Sequence, residues 1–295
     1  MRPVLFNFFG IKVYGYGTMM AIGIIAAVML LSYRAKKKGI DGDSILNMSI
    51  IAVIAGVIGG KLLYYISDLS NIIKDPSLLL NFGAGFVIYG SIIGGVIGVY
   101  IYCKMKKWNL INMFDLVIPS LPLAQGFGRI GCLLAGCCYG KETSSLLSIK
   151  FTNSFYAPNA VALIPTEIYS SIFDFLLAIF LLWYSRKERK KGRIFALYLI
   201  IYSIGRFIIE FFRGDPRGNV GFLSSAQFIS IFIVLIGFFI FFYDWNKGKE
   251  SSITEDVQDA EDDEYDYILK KIQMSEQAEL EEKEKAKEDS EKGEP

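Results

Sequence analysis

Four polar side chains recur at helical spacing in an otherwise apolar stretch: Tyr202, Arg206, Glu210 and Arg213 in YSIGRFIIEFFR. Steps of four, four and three residues put them on one face of a helix, with Ile and Phe on the others. Arginine offers planar, paired donors that match the oxygens of a phosphate, so this face would suit an anionic headgroup. A purely structural Arg206–Glu210 pair, with Arg213 at the membrane interface, accounts for the same spacing. A further arginine, Arg129 in GFGRIG, sits inside another apolar stretch. There an ionised group costs about 2.5–3.5 kcal/mol on insertion scales and usually faces a polar interior. Arginines on two separate segments tilt the balance toward an anion site between helices. Lys61, Asp115 and Asp174 also fall inside apolar segments. The first two can snorkel to an interface; for Asp174 the sequence offers no partner.

The same inventory limits the chemistry. Histidine is absent, which removes the usual general base and the commonest metal ligand together. The cysteines are Cys103, Cys132, Cys137 and Cys138, too few for a secreted disulfide framework. The spacing of the last three fits no common zinc pattern, and an apolar helix end raises a thiol pKa rather than lowering it. They are read as small apolar packing residues, and no metal or cofactor is assigned.

Positioning these groups falls to apolar rods. The chain has 295 residues, 53% of them hydrophobic and 15% aromatic, with a mean hydropathy of +0.38. Soluble domains carry roughly 45–50% apolar residues even when glycine is counted. Seven apolar segments run near residues 17–33, 45–67, 84–103, 114–138, 167–184, 194–212 and 222–243, each close to the about 20 residues that span a bilayer. The expected fold is all-α, a polytopic membrane protein with about seven transmembrane helices. Glycine-rich faces in the second (Gly56, Gly59, Gly60) and third (Gly90, Gly94, Gly95, Gly98) segments suit close helix packing. Basic clusters follow segments one, three, five and seven, which places the N-terminus outside and the C-terminus in the cytoplasm. The opening MRPVLFNFFGIKVYGYG lacks the pattern of a removable signal peptide. Residues 244–295 hold 19 acidic residues against 8 lysines. This divides the chain into a membrane domain, 1–244, and an acidic cytoplasmic tail, 245–295, too polar to fold alone. Basic residues confined to membrane edges and an acidic tail give no support for nucleic-acid binding. No internal repeat of the transporter kind is visible.

In chain order, VYGYGTMMAIG (13–23), YGSIIGG (89–95), GRIGCLLAGCCYG (128–140), PTEIY (165–169) and YSIGRFIIEFFR (202–213) resemble the motifs of the prolipoprotein diacylglyceryl transferase family. The resemblance covers residues 3–243. It implies a seven-helix enzyme of the bacterial cell membrane that needs no cofactor. Such an enzyme moves an sn-1,2-diacylglyceryl group from phosphatidylglycerol to the lipobox cysteine of a prolipoprotein signal peptide, leaving a thioether and glycerol phosphate. By the same resemblance, Arg129 and Arg206 stand at the family's essential arginines. Tyr16, Tyr202, Glu210 and Arg213 stand at substrate-binding motif positions, and Gly128, Gly131, Gly136 and Gly140 keep its glycine frame. Departures are Cys132, Ala135 and Cys137 in place of two asparagines and a glutamate, and Ser170 in place of a glutamate. Tyr89 stands where the family commonly has a proposed catalytic histidine, and it is assigned to orient the headgroup. A lipid-binding paralogue or a transporter without transfer activity is the alternative.

Overall fold

In hydrocarbon every backbone N–H and C=O must find a partner inside its own segment, so each apolar stretch closes into a helix. A computed structural model describes residues 4–8, 11–76, 78, 85–152, 154, 156–216, 218–243 and 270. The acidic tail expected over 245–295 lies outside the described residues, Lys270 apart. The long helices are α1 (Gly15–Lys36), α2 (Gly42–Ser67), α4 (Ile88–Met105), α7 (Thr166–Tyr184), α8 (Arg193–Glu210) and α9 (Ser225–Phe242), with α3 (Leu69–Lys74) a short turn after α2. The fourth apolar segment is a broken rod. α5 (Leu110–Val117) passes through a 3-10 turn at Ile118–Ser120 into α6 (Leu121–Ala135), where Pro119 and Pro122 remove backbone donors. Six of these spans are long and apolar enough to cross a bilayer; α8 matches them in length but carries Arg193, Arg206 and Glu210. Small antiparallel ribbons add to the helices, among them β1 (Val4–Phe8) with β2 (Ile11–Tyr14) just before α1. The sequence reading had no place for these ribbons, because short strands lie below the length at which apolar periodicity is decisive.

Local signals set the helix ends. Asp41 caps α2 by accepting from Ser44 N–H at 2.8 Å, and Ser224 with Gln227 forms a capping box on α9. α2 and α4 run in close contact because glycines face each other. A Cβ on Gly94 would strike the carbonyl of Ala55, and one on Gly59 would strike that of Gly90. Lipid tails are as apolar as leucine, so such close backbone approach, rather than hydrophobic sorting, holds this pair.

The bundle has two chemically different ends. At one, Arg34 donates to the Leu116 carbonyl, and Asp115 accepts from Gly192 N–H (2.7 Å) and Phe195 N–H (2.8 Å). Arg193 there lies over the Phe241 ring at 5.0 Å. The basic loops after α1 and α7 therefore meet at this end. At the other end Lys141 N–H donates to the Phe212 carbonyl, Gly140 N–H to Ile164 and Thr166 Oγ1 to Cys138. The end of α6, the start of α7 and the end of α8 are tied together there.

Candidate functional site

α7 packs against both α6 and α8, whereas α6 and α8 scarcely touch one another. The gap between them is a cavity of ≈ 190 Å³. Arg129 from α6, Asp174 from α7, and Tyr202 and Arg206 from α8 line it, and Ile208 and Ile209 give it an apolar wall. A polar floor against an aliphatic wall is the form a phospholipid needs, phosphate at one side and chain at the other.

A ladder of side chains fixes the α6 and α8 walls. Gln125, one turn before Arg129, donates to Tyr198 OH at 2.8 Å. Tyr198 stacks on Tyr202 with ring centroids 5.4 Å apart, and Arg206 follows one turn later. Arg206 Nη1 pairs with Glu210 Oε2 at 2.6 Å. The structural pair and the cavity-lining arginine are therefore both present: Glu210 holds one edge of the guanidinium while the group still faces the gap. Both arginines lie within about two turns of the same helix end, nearer to it than mid-membrane, because α6 stops at Ala135 and α8 at Glu210.

Asp174 answers the question its sequence position posed. It is 2% exposed and sits in the field of both Arg129 and Arg206. It belongs to a buried polar row on α7, with Glu167 and Ser171. Steps of four and three residues were legible as one helix face; the row escapes notice because serine is common in apolar helices. Ser171 Oγ donates to the Gly126 carbonyl at 3.0 Å, seating this row against α6.

The other expected residues fall around the cavity rather than in it. Arg213 lies beyond the end of α8, bonded to Asp215 through Nε (2.8 Å) and Nη2 (2.9 Å), with Glu210 Oε2 at 4.0 Å. Burial works against its charge, and the bonds to Asp215 and to Cys138 outweigh that, leaving its pKa above the usual arginine value. Its guanidinium is thus engaged at the rim and does not line the cavity. Gly128 and Gly131 serve the α1 contact: an added Cβ would lie 3.3 Å from Met20 Sδ and 3.2 Å from the Tyr16 carbonyl, respectively. They hold Tyr16 over α6, within the fields of Arg129 and the cysteines. Tyr89 is not brought to this place. It stands 42% exposed in the first turn of α4, a helix that packs on α2.

The cysteines depart furthest from expectation. Their sequence spacing hides a turn: Gly136, at φ +73°, ends α6 with Gly136 N–H bonded to the Leu133 carbonyl and Cys137 N–H to Cys132. This reversal folds Cys137 and Cys138 back over Cys132, and the three Sγ atoms lie within 4.8 Å of one another.

Comparison with known proteins gives one consistent picture. Residues 3–243 match the family described as prolipoprotein diacylglyceryl transferase. A phosphatidylglycerol–prolipoprotein diacylglyceryl transferase of Clostridium tetani is 62% identical over 82% of this chain and 97% of its own length. The enzyme numbered 2 in Clostridium perfringens is 51% identical over 85% and 99%, and one from Dehalococcoides mccartyi is 37% identical over 84% and 96%.

Proposed function

The chain belongs to the prolipoprotein diacylglyceryl transferase family, and from that premise we propose that it moves a diacylglyceryl group from phosphatidylglycerol to the lipobox cysteine thiol of prolipoproteins. The observation that carries the site assignment is that Arg129 and Arg206, on separate helices, line one cavity. A phosphate seated between them is neutralised as it departs. The same positive field draws the incoming thiolate, which is the nucleophilic form. Preorganised charge of this kind is often the largest single catalytic term. Tyr202, stacked and fixed, lends its hydroxyl to the headgroup. Asp174 and Glu210 hold the guanidinium groups in place, and Ile208 and Ile209 guide an acyl chain.

Orientation follows from the two ends. The basic loops gather at the end of α5, and cytoplasmic loops carry the positive excess. This supports reading the N-terminus as outside, α8 as the sixth of seven crossings, and the cavity as open toward the outer leaflet. Purified protein, incubated with phosphatidylglycerol and a lipobox peptide, is expected to add one diacylglyceryl mass to the peptide cysteine by mass spectrometry. Arg129→Ala and Arg206→Ala are each expected to abolish that product; full turnover by both removes the site assignment.

A further inference from the structure

We propose that Cys132, Cys137 and Cys138 form a three-thiolate site for a divalent thiophilic cation of the Zn²⁺ class, and that its fourth coordination position takes the acceptor thiol. The thiol-accepting half rests on the transferase reading above; the metal site does not.

Geometry comes first. Tetrahedral coordination at about 2.3 Å per Zn–S bond separates sulfurs by about 3.8 Å. The three Sγ atoms already lie within 4.8 Å of one another, so closing on a cation needs shifts of about 1 Å. The backbone holds them there from both sides. The reversal at Gly136 returns Cys137 to Cys132, where Cys137 Sγ donates to the Cys132 carbonyl at 3.7 Å. Beyond it, Cys138 adopts φ +70°. Left-handed backbone in a non-glycine residue is strained and persists where its surroundings enforce it. Here the enforcing bond is Thr166 Oγ1 to the Cys138 carbonyl, 2.8 Å.

Chemistry selects the ion. Thiolates favour soft or borderline cations. Three thiolates leave a net −1 with a divalent ion and −2 with a monovalent one. Arg213 donates to Cys138, and one neighbouring guanidinium balances the first of these. Three protein ligands are the number that catalytic zinc sites use, with water or substrate as the fourth.

Position supplies the role. Cys132 is three residues after Arg129, on the same face of α6, and Arg129 lies in the fields of Cys132 and Cys138. A thiol bound at the fourth position is deprotonated by the metal, which answers the absence of histidine. Its proton passes to Glu167, a 1% exposed carboxylate with no hydrogen-bond partner on either oxygen among the described residues, lying in the field of Cys138. The thiolate sulfur then bonds to the glyceryl carbon as the C–O bond to phosphate breaks. The electron pair of that bond leaves with glycerol phosphate beside Arg129 and Arg206, and nothing is oxidised or reduced.

The test uses full-length protein in detergent, reduced and stripped with chelator, then titrated with Co²⁺. Thiolate-to-cobalt charge-transfer absorption is expected to saturate at one Co²⁺ per chain and to be displaced by Zn²⁺. Cys132→Ser alone is expected to weaken cobalt affinity at least about tenfold, and Cys132→Ser/Cys137→Ser/Cys138→Ser to abolish the band. Absence of the band in the wild type, or an equal band in the triple variant, overturns the metal site. Adding a lipobox-cysteine peptide without phospholipid is expected to shift the cobalt spectrum, and the serine peptide to leave it unchanged. No shift with the cysteine peptide overturns the thiol-accepting role. Zn²⁺-loaded wild type that makes no thioether overturns the transferase reading instead, and leaves the cobalt result standing.

Discussion

Two guanidinium groups sharing one cavity repel each other, and the field of a buried carboxylate, Asp174, offsets that repulsion. Asp174 lies 2% exposed in the fields of both, whereas Glu210 bonds Arg206 from the end of α8. Removing one partner from a buried charge cluster costs about 3–5 kcal/mol because the remaining charge is left uncompensated. Asp174→Asn keeps the shape and loses the charge. It is expected to destabilise the protein by about 3 kcal/mol, the low end of that range given the open cavity, read as a lower Tm in detergent, and to cut thioether formation with it. An unchanged Tm would mean that Arg129 is held by something else. Tyr89 makes the opposite case. It stands on α4, away from the cavity, so Tyr89→Phe is expected to lower turnover by less than about tenfold, short of the 10²–10⁴ that a general acid or base contributes. A larger loss would require α4 to approach α6 and α8 in the working enzyme.

Helices here are positioned by what they lack as much as by what they carry. The seam between α2 and α4 depends on Gly59, Gly90 and Gly94, where an added Cβ meets backbone that cannot move aside. Gly94→Leu is therefore expected to part the two helices and cost about 1–3 kcal/mol, measured as a loss of Tm, while Gly17→Ala, with nothing within 4 Å of the added Cβ, is expected to be neutral. Equal effects would mean that the seam does not hold the bundle. These glycine faces were legible from sequence because small residues recur at helical spacing, and so was the Tyr202–Arg206–Glu210 face. Burial of each arginine against a particular partner was not. Asp174 comes into the field of Arg129 only because α7 packs against both α6 and α8, a fact of tertiary arrangement. The cysteine cluster was illegible for a different reason: spacing rules for metal sites assume known loops, and the reversal at Gly136 is an unlisted one. Gly136 itself was the available clue, a glycine immediately before two cysteines at the end of an apolar run.

At the scale of the molecule, charge is distributed along one axis. Asp115, Arg34 and the basic loop before α8 meet at one end, and α9 ends there as well, Phe241 lying under Arg193. Tyr243, the last residue described before 244–295, closes α9 at that end. The cavity, Arg213 and the cysteines are at the other, a membrane's thickness away along 18-residue helices of about 27 Å. Exposed charges separated by more than the Debye length, about 8 Å at physiological ionic strength, are largely screened from each other. With 244–295 joined to the chain at that end, its nineteen acidic side chains against 8 lysines are expected to have little electrostatic purchase on the transfer step. The relatives at 62% and 51% identity match 82% and 85% of this chain while covering 97% and 99% of their own lengths, and the family match ends at residue 243. A chain ending at Asp244 is thus expected to keep the thioether-forming rate of the full chain within about twofold, at low and at physiological salt alike. Complementation of a transferase-depleted strain by residues 1–244 checks the same point in the cell. Turnover in the purified assay with complementation lost would assign the tail to recruitment in the cell; turnover lost in the purified assay would mean that the tail supports the bundle itself.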